Sequence, residues 1–257
     1  MIEDILVPLV CERFKNEERY RNGHLRVINA LPQRRVLGLH TPQMKQVAKE
    51  LSRKGGREYI ARFENSCYDS LSYEETVVWG LLINLEKCPI EERLRMVEHY
   101  VPVMDNWAVC DSFCANAKWM HSADKELLWR FLQRWFLSNR EFEVRFAIVS
   151  AMCCFLDEQW LKILFEQIDK IDFDKIVSVY TTIKRRPEQP QQGTVLGSLP
   201  YYVRMGVAWL LATALAKFPE RTREYVCSSS LPGDVIKLYV RKARESFRTR
   251  NVSALLS

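Results

Sequence analysis

The sequence predicts an all-α fold, and three observations lead to this class. First, the chain of 257 residues contains only 9 glycines and 10 prolines, whereas a β-sandwich or barrel of this length needs many more turns. Second, apolar residues recur at helical spacing along almost the whole chain. Third, helix-capping patterns interrupt this spacing at intervals. A hydrophobic fraction of 47% provides enough apolar material for a buried core.

Capping patterns predict where the first helices begin. Thr41 followed by Pro42 is typical of an N-cap and the first turn of a helix. Ser72 with Glu75 three residues later is a capping box. It opens an apolar run at residues 76–85, which we expect to be helical.

Three later boundaries follow from prolines and one aspartate. Pro89 separates two predicted helices, and Pro219 does the same near the end of the chain, because the residue before a proline disfavours helix. Asp157 is predicted to cap a helix that runs through Leu161, Leu164 and Ile168.

These signals predict about a dozen helices of roughly 10 to 18 residues. The helices come in pairs of roughly 35 to 45 residues, the size of a HEAT-type unit, and such pairs stack into a curved α-solenoid, or superhelix. Periodicity alone favours this arrangement no more than an irregular all-α globule. Residues 184–200 hold three prolines and two glycines and are predicted to form a long loop. We therefore expect one helical-repeat domain over residues 1–257, with a long loop near 184–200.

Composition restricts the compartment and the partner. A formal net charge of +6 and a sequence pI of about 8.9 agree with a polyanionic partner. The N-terminus lacks the pattern of a signal peptide, no run of 18 apolar residues occurs, and the eight cysteines include no CxxC pair. We therefore expect a cytoplasmic protein, nucleoid-associated if bacterial, without membrane contact. Its cysteines should be reduced and mostly buried.

The densest candidate site is the segment DNWAVCD at residues 105–111. Trp107 and Asp111 are four residues apart, so they share one face of a helix. An indole face attracts positive charge and a carboxylate neutralises it, which suits a cationic ligand. The structural alternative is a half-buried tryptophan beside a surface aspartate that pairs with a nearby arginine.

Two further residues, and one weak metal pattern, have competing interpretations. Arg145, alone in an apolar helix, either forms a structural salt bridge or binds a phosphate. Trp209 lies in a helix that is apolar on most sides, which favours a core tryptophan. Cys110 and Cys114 are four residues apart with His121 further along, but a zinc site needs about four ligands of recognisable spacing. We therefore expect no metal and no cofactor.

Rows of basic residues are the second signal for nucleic acid. Neutralising DNA phosphates requires such rows. For any one row, a solvated helix surface is the more frequent explanation, and three rows together weaken that explanation modestly. The rows are Lys45, Lys49 and Arg53 on an early helix, Lys184, Arg185 and Arg186 at the start of the long loop, and Lys237, Arg241, Arg244 and Arg248 on the last helix.

Taken in order, these motifs resemble the AlkD-like family of DNA alkylation repair glycosylases, which have HEAT-like repeats. The resemblance extends over nearly the whole chain, although no single motif is specific. It is carried by five segments: VLGLHTP at 36–42, DNWAVCD at 105–111, EVRFA at 143–147, YYVRMGVAW at 201–209 and KARESFR at 242–248. The sequence differs from the family where Asn106 replaces a frequent tryptophan and where residues 184–200 form an apparent insertion.

The resemblance implies a solenoid with a basic concave face that holds duplex DNA, and it implies roles for several residues. Asp111 corresponds to the family's catalytic carboxylate and Arg145 to its active-site arginine. Trp107 and Trp209 correspond to tryptophans that face the deoxyribose. We also expect contacts to DNA from Thr41 and from Lys45, which lies near a basic DNA-contacting position of the family.

The function implied is a monomeric, monofunctional DNA glycosylase that removes alkylated, cationic purines such as 3-methyladenine and 7-methylguanine from double-stranded DNA. Asp111 would stabilise an oxocarbenium-like sugar, and no pocket would enclose the base. Two alternatives remain open at this point. One is a non-catalytic HEAT-like module that binds damaged or structured DNA, and the other is a protein–protein scaffold, the usual role of helical solenoids.

Overall fold

A computed structural model describes residues 2–179 and 200–250 of the chain. These residues form fourteen α-helices and contain no β-strand apart from one isolated bridge between Arg140 and Val177. The all-α fold of packed helical pairs is therefore confirmed. The predicted loop, including Lys184, Arg185 and Arg186, lies outside the described residues except for Pro200. The helices group into two compact units, one up to residue 123 and the other from residue 124.

Unit 1 is built around one buried helix, α6. Eleven residues of α6 are buried, and the helix packs against α4, α5, α7 and α8. Gly80 permits one of these contacts, because a Cβ atom there would lie 2.4 Å from the Tyr100 hydroxyl. The helices of unit 1 are α1 (Glu3–Leu6), α2 (Glu12–Asn16), α3 (Glu18–Ile28), α4 (Thr41–Arg53), α5 (Gly56–Glu64), α6 (Tyr73–Leu85), α7 (Ile90–Tyr100) and α8 (Trp107–Asn116).

Unit 2 has two central helices, α10 and α12. Every residue of α10 is buried except Cys153, and α12 packs against α10, α13 and α14. A cluster of Trp129, Phe155 and Trp160, with ring centroids 4.8–5.4 Å apart, fills the core beside α9. The helices of unit 2 are α9 (Lys125–Phe136), α10 (Glu141–Cys154), α11 (Leu161–Ile168), α12 (Tyr201–Lys217), α13 (Pro219–Ser228) and α14 (Gly233–Glu245).

The capping patterns are confirmed where proline or a capping box defines them. Ser72 Oγ accepts from Glu75 N (3.2 Å), and Ser72 N donates to a Glu75 carboxylate oxygen (2.9 Å). Helices begin directly after Pro89 and at Pro219. Thr41 is the first helical residue and not the N-cap, because His40, with φ −88° and ψ 156°, takes the extended conformation of a cap.

Three other local predictions were wrong. Asp157 does not cap α11, since its carboxylate accepts from Trp160 N (3.1 Å) in the turn that precedes the helix. Arg248 is not on the last helix, because α14 ends at Glu245 and Ser246 turns to an extended conformation. All eight cysteines are free as expected, yet only Cys110, Cys114 and Cys154 are buried.

Candidate active site

Trp107 and Asp111 lie where the sequence placed them, on one face of α8. Both side chains are half-buried, and both line an open cleft of about 910 Å³ in unit 1. The C-terminal part of α3 and the first turn of α4, including Thr41 and Met44, form other parts of its lining. A carboxylate and an indole therefore face a space large enough for a nucleotide.

Asn106 fixes the position of this face, a role that the sequence analysis missed. Its Oδ1 caps α8 by accepting from Ala108 N (2.7 Å). Its Nδ2 donates to the carbonyls of Ile28 (2.5 Å) and Asn29 (3.1 Å) at the end of α3. Trp107 Nε1 adds a bond to Val27 O (3.3 Å). One buried amide thus starts α8 and attaches it to the C-terminal end of α3, which also lines the cleft. An asparagine directly before an apolar helical run was the available signal.

A buried ion pair between Arg34 and Asp105 also helps to fix the start of α8. Arg34 donates through Nε and Nη2 to Asp105 Oδ2 at 3.0 and 2.9 Å. Burial raises the pKa of the Asp105 carboxyl, and the guanidinium opposes this shift. Arg34 also donates to Leu71 O (2.8 Å), so it connects the segment before α8 with the segment before α6.

The segment that leads into α4 is held by one carboxylate, Glu74. This fully buried side chain accepts backbone N–H bonds from Leu37 (2.9 Å), Gly38 (2.7 Å) and Leu39 (3.1 Å). Gly38 has φ 98°, which favours glycine, and a Cβ atom there would lie 2.2 Å from the Phe14 ring. The backbone that precedes Thr41 is therefore restricted by charge and by shape.

Aromatic rings from α3 and from the start of α4 form another part of the cleft lining. Tyr20, His24 and His40 all line it. The Tyr20 hydroxyl lies 2.8 Å from His40 Nε2, and the two imidazole centroids are 5.4 Å apart in an edge-to-face arrangement. Burial, with a contribution from His40, lowers the pKa of His24. The sequence analysis missed this group because its members are separated along the chain.

Arg145 lies in unit 2, where its side chain supports the start of α12. The residue is 4% exposed, and Nη1 donates to Tyr202 O (2.7 Å). The adjacent Glu141 accepts from Tyr202 N (2.6 Å) and from the Ser178 hydroxyl. Burial raises the pKa of the Glu141 carboxyl. The role of Arg145 at a damaged nucleotide stays a prediction.

Trp209 and the basic row are exposed on unit 2. Trp209 is 37% exposed, so its interpretation as a core residue was wrong. Lys237, Arg241 and Arg244 lie along a shallow groove of about 550 Å³ on α14. Arg241 and Glu245 are 3.5 Å apart, so part of this charge is neutralised locally. In unit 1, Lys45 is half-buried on α4. Lys49 and Arg53 are both exposed, and Arg53 is the last residue of that helix.

Comparison with protein families places the chain in a known family. The sequence model of the family described as DNA alkylation repair enzyme matches residues 14–175, more than half of the chain. The chain belongs to this family. The matched region of the DNA alkylation repair enzyme family includes Trp107, Asp111 and Arg145 and ends before Trp209 and α14. Neither a search of curated proteins nor a search of solved structures gives a significant match.

Metal-binding clusters and membrane-spanning helices are both absent from the described residues. Within residues 2–179 and 200–250, no group of three or more His, Cys, Asp or Glu side chains is arranged to hold a metal ion. None of the helices in the same ranges combines the length and hydropathy needed to cross a membrane.

Proposed function

We propose that this member of the DNA alkylation repair family is a monomeric, monofunctional DNA N-glycosylase. Its substrates would be alkylated, cationic purines in double-stranded DNA, such as 3-methyladenine and 7-methylguanine. The observation that carries the proposal is the presence of the Asp111 carboxylate and the Trp107 ring in one cleft of unit 1. The family match supports a role in alkylation repair, and the cleft supports the choice of reaction.

The chemistry requires little from a general acid. When the N-glycosidic bond breaks, its electron pair goes to the cationic base, which leaves as a neutral molecule. Positive charge then develops on the deoxyribose, and a nearby carboxylate stabilises it, as in glycoside hydrolysis. A water oxygen forms the new bond to C1′, and its proton passes to the carboxylate and then to solvent.

Two residues divide this work. Asp111 stabilises the developing charge and orients the water, while the Trp107 ring face stabilises the cationic sugar and excludes solvent. The bonds of Asn106 and of Trp107 Nε1 keep both side chains in place. The family likeness supports a route in which the protein holds the sugar and the backbone without enclosing the base, unlike enzymes that extrude the base into a closed pocket.

Release of 7-methylguanine from alkylated duplex DNA, measured by chromatography, tests the proposal. We expect Asp111→Asn to slow release by about a hundredfold or more, the usual effect of removing a preorganised electrostatic group. Asp69→Asn is the matched control, because Asp69 is exposed in unit 1 and lies outside the cleft lining. Equal rates for wild type and Asp111→Asn would refute the assignment.

The exposed cations of unit 2 are proposed to bind DNA phosphates. Arg244→Glu combined with Arg248→Glu should weaken binding and reduce the slope of log affinity against log salt by about two, roughly one for each lost contact. Lys162→Glu combined with Lys170→Glu reverses two exposed cations outside this row and serves as the control. Unchanged affinity and slope for the arginine variant would contradict the proposal.

A second candidate function shares the basic row but needs no carboxylate in the cleft. A non-catalytic DNA-binding module would bind damaged or structured duplex with the same salt dependence and leave the base attached. Alkaline cleavage of the DNA after incubation detects abasic sites and separates the two functions.

The roles of Arg145 and Trp209 at the damaged nucleotide are proposed from the family resemblance. Arg145→Lys and Trp209→Ala test these roles in the assay of 7-methylguanine release.

A further inference from the structure

Two of the chain's four histidines, His24 and His40, lie in the cleft that contains Asp111 and Trp107. The other two, His99 and His121, are exposed elsewhere in unit 1 and are not part of the cleft lining. This division matters because histidine is the side chain whose charge ordinarily changes between about pH 5 and pH 8. The cleft therefore contains a pair of groups able to change its electrostatic potential near neutral pH.

We propose that the His24–His40 pair determines specificity for positive charge: the neutral pair admits a cationic nucleotide beside Asp111, and the protonated pair excludes it. The inference rests on the proposed function and adds to it a second group of contact residues. Their imidazole centroids are 5.4 Å apart, so the first proton taken up by the pair opposes the second.

The surroundings of His24 favour its neutral state. His24 Nε2 is buried and has no hydrogen-bond partner among the described residues, so a proton there would have no acceptor. Burial accordingly lowers the pKa of His24. His40 is exposed, and its Nε2 lies 2.8 Å from the Tyr20 hydroxyl, which orients the ring.

The other charged groups along the cleft leave room for this effect. Arg13 is paired with Glu17, with guanidinium–carboxylate distances of 2.9 and 3.1 Å. Arg19 is exposed to solvent, and Tyr73 is buried, with its pKa raised by burial. Asp111 is the second carboxylate in the cleft lining, beside Glu17, and a protonated histidine would oppose its attraction for a cation.

The size of the effect follows from the volume of the cleft. Two unit charges about 10 Å apart, the width of a space of this volume, change affinity by on the order of tenfold at an effective dielectric constant of about 20. Because the cleft is open, solvent screening reduces this value. We expect a change of about threefold to tenfold.

The experiment compares two duplexes that differ only in charge at the damaged position. One duplex contains a pyrrolidine abasic analogue, which is cationic and cannot be hydrolysed, and the other contains the neutral tetrahydrofuran analogue. The ratio of the two affinities is measured from about pH 5.5 to about pH 8, the range over which histidine titrates. Taking the ratio cancels any general effect of pH on DNA binding.

In wild type, the ratio of affinities for the cationic and the neutral duplex should fall about threefold to tenfold as the pH falls. His24→Gln combined with His40→Gln, which cannot be protonated, should keep a constant preference. His99→Gln and His121→Gln should behave like wild type. His40→Gln alone, which keeps the His24 ring on α3, is the second variant, and it should weaken the pH dependence of the preference.

A preference that does not change with pH in wild type, or the same pH dependence in wild type and the double variant, overturns the inference. Release of 7-methylguanine by wild type at neutral pH is measured in parallel. If the base is released but the histidine variants have no effect, the inference alone fails. If no base is released and no preference for the cation occurs at any pH, the proposed function fails with it.

Discussion

Replacing Glu74 with glutamine tests whether the buried carboxylate holds the segment that leads into α4. Glu74 Oε1 accepts from Gly38 N and Leu39 N, and Oε2 accepts from Leu37 N. Glutamine keeps one acceptor oxygen, but its NH₂ group replaces the other and faces the N–H of Leu37. One buried donor is left without an acceptor, and the two remaining bonds lose their charge assistance.

The expected cost follows from these changes. An unsatisfied buried donor costs about 1 to 3 kcal/mol, and a bond to a charged group exceeds a neutral one by about 1 kcal/mol. Removing a buried charge returns part of this energy, because burial raises the pKa of Glu74 and so disfavours its ionised form. We expect a net loss of about 2 to 4 kcal/mol, or a fall in melting temperature of roughly 4 to 16 °C for a chain of this size.

Thermal unfolding followed by far-ultraviolet circular dichroism measures the loss. Glu91→Gln is the matched control, because Glu91 occupies the second position of α7 as Glu74 does in α6, yet it is exposed. The control should change stability by less than about 0.5 kcal/mol. Hydrogen exchange should also accelerate at residues 37–39 in the Glu74 variant alone. Equal melting temperatures for the two variants would refute the reasoning.

Three further predictions concern stability. Gly38→Ala should cost about 2 to 4 kcal/mol, from its positive φ and its steric clash, whereas Gly23→Ala, with nothing within 4 Å of the added Cβ, should be neutral or stabilising by up to about 1 kcal/mol in urea unfolding. Asn106→Ala should cost about 2 to 3 kcal/mol through the lost cap and two lost bonds, and should slow base release, while Asn106→Asp should recover the cap alone. Because the pKa values of Glu74 and Glu141 are raised in the folded state, the unfolded chain ionises these groups first. The stability difference between wild type and Glu74→Gln should therefore narrow as the pH rises from about 4 to about 8, and a gap that widens would contradict the direction of the shift.

Helix boundaries were predictable where a local rule defines them and less so where two residues compete. The Ser72 capping box and the breaks at Pro89 and Pro219 depend on neighbours within four residues, and all three are confirmed. The start of α4 was misplaced by one residue. Proline is accepted at both of the first two helical positions, so Pro42 could not distinguish His40 from Thr41 as the cap.

In the candidate site too, the features that follow from local spacing were predictable and those that depend on packing between helices were not. The Trp107–Asp111 face follows from a spacing of four residues on one helix. The aromatic rings of Tyr20, His24 and His40 come together only because α3 packs beside the start of α4, and no local pattern encodes that packing. The exposure of Trp209 was missed for a related reason, since α12 is apolar all round and gives the sequence no polar face to compare.

In both units, a buried glutamate holds the backbone of a segment close to a predicted DNA contact. Glu74 and Glu141 are buried carboxylates in the first turns of α6 and α10, and each accepts backbone N–H groups from a segment distant in sequence. Glu74 holds residues 37–39, directly before the start of α4. Glu141 holds Tyr202, seven residues or about two turns before Trp209 on α12. Burying a carboxylate costs folding energy, so an apolar side chain would serve simple packing better. A charge that fixes several N–H groups at once restrains backbone direction, and the proposed glycosylase site, which would have to position a sugar within a fraction of an ångström, would benefit from that restraint.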